Sequence, residues 1–131
     1  MPIAKVLMID DDPDIRKVGQ LSLKAFGKWQ VVLASNGQEG IELAAKEQPD
    51  LILLDVLMPG IDGPTTFAKL REQESTRSVP VIFMTAKTEA QDVARYTSLG
   101  AIGVIGKPFD PMKLPAEVRK IVDGAASSVP R

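Results

Sequence analysis

Four short stretches of this chain are apolar at every position: Val6–Ile9, Leu51–Leu54, Val81–Met84 and Ala101–Ile105. A fifth, Gln30–Ala34, is more polar. Runs that want burial on both faces suit strands of a parallel sheet covered by helices on both sides. The segments between them carry helix start signals. Asp12-Pro13 reads as an N-cap followed by a first-turn proline, opening a helix to about Phe26. Asn36 with Glu39 opens a second, to about Glu47. Gly63-Pro64 opens a third, to about Glu74, and Thr88 with Gln91 forms a capping box for a fourth that ends near Gly100. Asp110-Pro111 opens the last, where Leu114, Val118, Ile121 and Val122 make one apolar stripe.

The pattern is β-α repeated five times, with no internal repeat or linker. Such alternation predicts an α/β fold, a doubly wound five-stranded parallel sheet with five helices. At 131 residues the chain suits a single core. Residues 1–124 read as that domain and residues 125–131 as a flexible C-terminal tail.

Composition narrows the chemistry. The net charge is −1, so no basic surface points to nucleic acid. No apolar run is long enough to span a membrane, and the N-terminus does not lead into a signal peptide. Cysteine and histidine are both absent. Thiolate sites, Ser-His-Asp catalysis and the usual zinc sites are thereby excluded. Carboxylates, lysines, arginines and one tyrosine remain.

In doubly wound sheets, ligands bind beyond the carboxyl ends of the strands. Run 1 ends in Asp10-Asp11-Asp12, run 3 in Asp55, run 4 in Thr85-Ala86 and run 5 in Gly106-Lys107-Pro108. Run 2 ends in Ala34-Ser35-Asn36-Gly37, with nothing ionisable. A strand order of 2-1-3-4-5 puts that mute strand at the edge and the chemistry on four adjacent strands. Asp55 then faces Asp10 and Asp11. Three crowded carboxylates repel, and one takes a proton unless a cation intervenes. An all-oxygen site with room for water suits Mg²⁺. With a lysine charge and a threonine hydroxyl beside it, the pocket is built for a phosphoryl group, and the central carboxylate can be its nucleophile. Singly, each residue has a plainer reading: Asp12 as a helix cap, Asp10 or Asp11 as a turn residue, Thr85 as a strand-end hydroxyl, Lys107 as a surface lysine. Their coincidence on strand ends in one register favours the site.

The stretches "VLMIDDDPDIR", "LILLDVLMPGIDG", "VIFMTA" and "IGKPF" resemble the receiver domain of bacterial two-component response regulators, of the chemotaxis-regulator type. The resemblance extends over about residues 4–122 and implies a flavodoxin-like fold. It implies that Asp55 is the phosphoacceptor. It implies that Asp11, Asp55 and the Leu57 backbone carbonyl bind Mg²⁺, with Asp10 helping through water. Thr85 and Lys107 would contact the phosphoryl oxygens and relay the change to an output face. The donor would be a sensor histidine kinase or a histidine phosphotransfer protein. The phosphorylated form would change the binding of a downstream protein partner, in the cytoplasm. No output domain follows helix 5, so the expectation is a stand-alone receiver or one cut from a longer protein.

Receivers of this family usually carry Tyr or Phe three residues before the lysine, where this chain has Val104. The switch is therefore expected to run through Thr85 and residues 86–88, with little movement at Val104. The Lys107–Pro108 bond is expected to be cis. Leu57 and Lys87 are expected to flank the approach of hydrolytic water, making loss of the phosphoryl group slow. Two other readings remain. One is a receiver-shaped interaction module that is never phosphorylated. The other is a haloacid-dehalogenase-like phosphatase using Asp10, although Pro13-Asp14 departs from that motif and Asp55 would be left without a role.

Overall fold

A computed structural model describes residues 2–128. The elements are β1 (Lys5–Ile9), α1 (Pro13–Ala25), β2 (Gln30–Ala34), α2 (Gly37–Glu47), β3 (Leu51–Asp55), α3 (Gly63–Glu72), β4 (Val81–Thr85), α4 (Ala90–Leu99), β5 (Gly103–Gly106) and α5 (Leu114–Ser128). All strand pairs are parallel, in the expected order β2-β1-β3-β4-β5.

Alternate residues of each strand enter different cores. Leu7, Ile9, Ile52, Leu54, Val81 and Phe83 pack against α2, α3 and α4 with Ile41, Ala44, Phe67, Leu70 and Tyr96. Val6, Met8, Leu51, Leu53, Ile82, Met84 and Ile105 pack on the other face with Leu23 of α1 and Leu114, Val118 and Val122 of α5. The period-2 side-chain geometry of strands thus makes both faces apolar, which explains the unbroken runs.

Caps set several boundaries as expected. The Asp12 side chain accepts from the Asp14 and Ile15 N–H groups, and Asn36 accepts from Glu39 N–H at 2.8 Å. Asp62 caps α3 through Thr65 N–H at 2.9 Å, and that helix ends at Glu72 rather than Glu74.

Other expected boundaries move. The Thr88 capping box does not form: Glu89 is the N-cap of α4 and makes no side-chain cap bond. Thr88 instead lies over β5, where a Cβ on Gly106 would meet its methyl at 3.3 Å. The last strand begins at Gly103, because the Ala101 N–H still bonds the Tyr96 carbonyl at the end of α4. The last helix begins at Leu114 rather than Pro111. Asp110 organises a separate turn, its carboxylate accepting Met112 N–H and its carbonyl accepting the Lys113 and Leu114 N–H groups, all at 2.9 Å. Pro115 then takes the first-turn place, where a missing N–H costs nothing. α5 also runs on to Ser128, through the start of the expected tail, and residues 129–131 lie outside the described residues.

Candidate functional site

The strand register brings the chemistry to one edge. Asp55 and Thr85 are the last residues of β3 and β4, with Asp55 opposite Met84 and Thr85 opposite Gly106. Asp10 follows β1, and its N–H donates to the Ala34 carbonyl at 3.1 Å. Lys107 follows β5, and its N–H donates to the Thr85 carbonyl at 2.9 Å. The expected cis bond is present at Lys107–Pro108. The loop after β3 folds back tightly: the Gly63 N–H bonds the Val56 carbonyl at 2.8 Å, and a Cβ on Gly63 would come within 2.5 Å of the Asp55 carbonyl oxygen. A side chain there would push α3 off the site.

Asp10, Asp11 and Asp55 converge, with one oxygen of each carboxylate within 4.8 Å of the others. Asp10 is fully buried, Asp55 is 3% exposed, and Asp11 faces solvent. The Lys107 ammonium reaches Asp10 Oδ2 at 2.9 Å and Asp55 Oδ1 at 3.3 Å. Burial opposes its charge, but the Asp10 hydrogen bond and the two carboxylates outweigh this and hold it above the usual lysine range. For Asp55, burial and then the neighbouring Asp10 charge raise the carboxyl from 3.8 to about 6, despite the opposing Lys107 charge. One lysine therefore does not neutralise the group. A hard cation coordinated by the same oxygens would remove the repulsion, and the all-carboxylate donor set matches Mg²⁺ chemistry.

The cleft over these groups holds about 240 Å³ and is lined by Asp11, Asp12, Asp55, Leu57, Thr85, Ala86 and Lys107. Asp10 lies beneath this lining. Its Oδ1 accepts Asp12 N–H at 2.9 Å and its Oδ2 accepts Lys107, so both oxygens are engaged. Leu57 stands at the rim, 76% exposed. Lys87 is not part of that lining. Its backbone N–H donates to the Thr85 hydroxyl at 3.1 Å instead, and its side chain is exposed.

Val104 is half-buried, lies opposite Phe83 in the sheet and packs against the core on that face. On α4, Tyr96 is buried, its ring centroid 5.0 Å from that of Phe83. Sequence reading gave Tyr96 no part here, because a tyrosine seven residues before the strand has no marked pattern. Arg16 was likewise overlooked. Its Nη1 donates to the Asp10 carbonyl at 2.7 Å.

Known proteins can be set beside this geometry. The response regulator receiver domain family matches residues 6–119. The DNA-binding dual master transcriptional regulator RpaA of Synechocystis sp. is 38% identical over 90% of this chain and 48% of its own length. The alkaline phosphatase synthesis transcriptional regulatory protein PhoP of Bacillus subtilis is 36% identical over 96% of this chain and 51% of its own length. The chain thus spans about half the length of the curated relatives it matches. The solved structure of chemotaxis protein CheY4 of Vibrio cholerae superposes with a TM-score of 0.83 at 29% identity, covering 92% of this chain and 99% of that one. The parallel sheet in order 2-1-3-4-5, the acidic cluster at its carboxyl edge and the match over residues 6–119 agree, and the chain belongs to the response regulator receiver domain family.

Proposed function

We propose that Asp55 is the phosphoacceptor of a two-component or phosphorelay pathway. The observation that carries this is the buried Asp55 carboxylate at the floor of an open cleft, flanked by Asp11, Lys107 and Thr85. An Asp55 oxygen attacks the phosphorus of a phosphohistidine on a sensor histidine kinase or histidine phosphotransfer protein. The O–P bond forms as the P–N bond breaks, and the imidazole leaves with the bonding pair and takes a proton. Lys107 and the Thr85 hydroxyl hold the phosphoryl oxygens, where negative charge gathers. Asp11, Asp55 and the Leu57 carbonyl would hold Mg²⁺, with Asp10 helping through water. The ion would supply charge neutralisation of the phosphoryl oxygens. The chain then catalyses only its own phosphorylation and dephosphorylation.

A docking face for the donor is supported by exposed Val18, Leu21 and Phe26 on and just after α1, with Met112 in the turn before α5. Downstream, the phosphorylated state acts on a protein partner. Among the described residues no helix is long and apolar enough to cross a membrane. A phosphatase with Asp10 as nucleophile is disfavoured by that residue's burial and by the engagement of both its oxygens. The unphosphorylated-module reading is disfavoured because Asp10, Asp11, Asp55, Thr85 and Lys107 are all in place.

The test is labelling with acetyl phosphate and Mg²⁺, followed by mass-spectrometric mapping. One phosphoryl group on Asp55 is expected, lost on omission of Mg²⁺ and in Asp55→Asn. Label on Asp10, or full labelling of the variant, overturns the assignment.

A further inference from the structure

Asp10 has four polar groups, and each is engaged. Its N–H bonds Ala34 of β2, its Oδ1 accepts the Asp12 N–H, its Oδ2 accepts Lys107, and its carbonyl accepts Arg16 Nη1. The first two partners are main chain and the third is in the cleft. Arg16 is different. It stands in the first turn of α1, is half-buried and does not line the cleft.

An arginine beside several carboxylates ordinarily forms an ion pair. Asp10, Asp11, Asp12, Asp14 and Asp55 are all close in sequence or space, yet none pairs with Arg16. Among the described residues, the bond to the Asp10 carbonyl at 2.7 Å is the one polar contact of this guanidinium. It is also shorter than the other three bonds that Asp10 makes. A charged donor is thus directed at a peptide group.

That peptide joins Asp10 to Asp11. Holding its carbonyl fixes the peptide plane, because the bond itself does not rotate. The plane in turn aims the Asp11 Cα–Cβ bond. The exposed Asp11 carboxylate accepts no N–H among the described residues, and its side-chain partner is the Asp55 carboxyl across the cluster, so its direction otherwise depends on the backbone.

We propose that Arg16 is a positioning residue for the cation site: through the Asp10 carbonyl it aims the Asp11 carboxylate at the point shared with Asp10 and Asp55. The proposal rests on reading those three carboxylates as the Mg²⁺ site. Two effects of Arg16 on a divalent cation have opposite signs. Its positive charge repels the cation, whereas its hydrogen bond pre-organises a ligand. Removing the side chain separates them.

The experiment is calorimetric Mg²⁺ titration of the wild type, Arg16→Met, Arg16→Lys and Asp55→Asn at one ionic strength, with no phosphodonor. Amide hydrogen exchange of the metal-free proteins is measured alongside. Arg16→Met is expected to weaken Mg²⁺ about tenfold, the scale of lost outer-shell support. In the metal-free protein it is expected to speed exchange of the Asp12 amide, which bonds the Asp10 carboxylate. Arg16→Lys keeps a charged donor and is expected to stay closer to the wild type. If Arg16→Met does not fold by circular dichroism, Arg16→Gln carries the same comparison, since its amide ends two bonds short of the guanidinium nitrogens. Unchanged or tighter Mg²⁺ binding by the neutral variant overturns the positioning role and leaves the cation site standing. Failure of the wild type itself to bind Mg²⁺ overturns the cation site and, with it, the proposal.

Discussion

Replacing the buried Asp55 with its neutral isostere should make the metal-free protein more stable. A carboxyl raised from 3.8 to about 6 by burial and by Asp10 has its ionised form penalised on folding. At about 1.4 kcal/mol per pH unit, that difference corresponds to about 3 kcal/mol at neutral pH. Water entering the open cleft screens part of it, so we expect Asp55→Asn to gain about 1–2 kcal/mol. For a chain of this size that raises Tm by about 4–8 °C. The folded state holds the Asp55 proton more tightly than the unfolded chain does. The penalty on the wild type is therefore full above about pH 6 and fades as pH falls through 6 toward 3.8. The variant's advantage should follow the same window. Saturating Mg²⁺ should oppose it, because an ion at a hundred times its Kd adds about 2.7 kcal/mol to the protein that binds it. The assay is thermal denaturation followed by circular dichroism, in EDTA and in Mg²⁺, at about pH 7.5 and about pH 4. An Asp55→Asn protein that melts at or below the wild type in EDTA near neutral pH would refute the reasoning. So would an advantage that persists undiminished at the acid end.

Other substitutions and probes test the rest of the site. Leu57, exposed at the cleft rim, offers no hydrogen bond to an attacking water, so Leu57→Asn should speed loss of the phosphoryl group. One orienting bond of about 1 kcal/mol corresponds to about fivefold. Decay of ³²P label measures this, and an equal or slower rate removes Leu57 as the shield. The Thr85 hydroxyl is bonded to Lys87 N–H, so a phosphoryl group that draws Thr85 inward should move the loop after β4. Amide NMR with and without beryllofluoride should show its largest changes at residues 86–88 and little at Val104. Large shifts along β5 with a still loop would contradict this.

The sequence by itself determined most of the sheet and the composition of its reactive edge. Val6–Ile9, Leu51–Leu54 and Val81–Met84 are unbroken apolar runs because parallel strands covered on both sides have no solvent face. Once those runs are strands, the residues that end them must share one edge, and Asp10, Asp55, Thr85 and Lys107 do. Local cap chemistry was legible at Asp12 and Asn36, where one donor-acceptor pair settles the helix start.

Tertiary structure decided what depends on competition or on distance along the chain. Two proline-led starts competed for α5, and the Asp110 turn left the helix to Pro115. Thr88 could cap α4 on its own terms, but the approach of β5 at Gly106 uses it otherwise. Asp10 and Lys107 are 97 positions apart, and the 2.9 Å bond between them exists only in the closed fold. The same holds for the raised Asp55 carboxyl, since burial and a neighbour's charge are properties of the assembled pocket. Tyr96 beside Phe83 and Arg16 on the Asp10 carbonyl carry no periodic signature. Hydrophobic periodicity reports which face a residue turns inward, and only packing decides which partner it finds there.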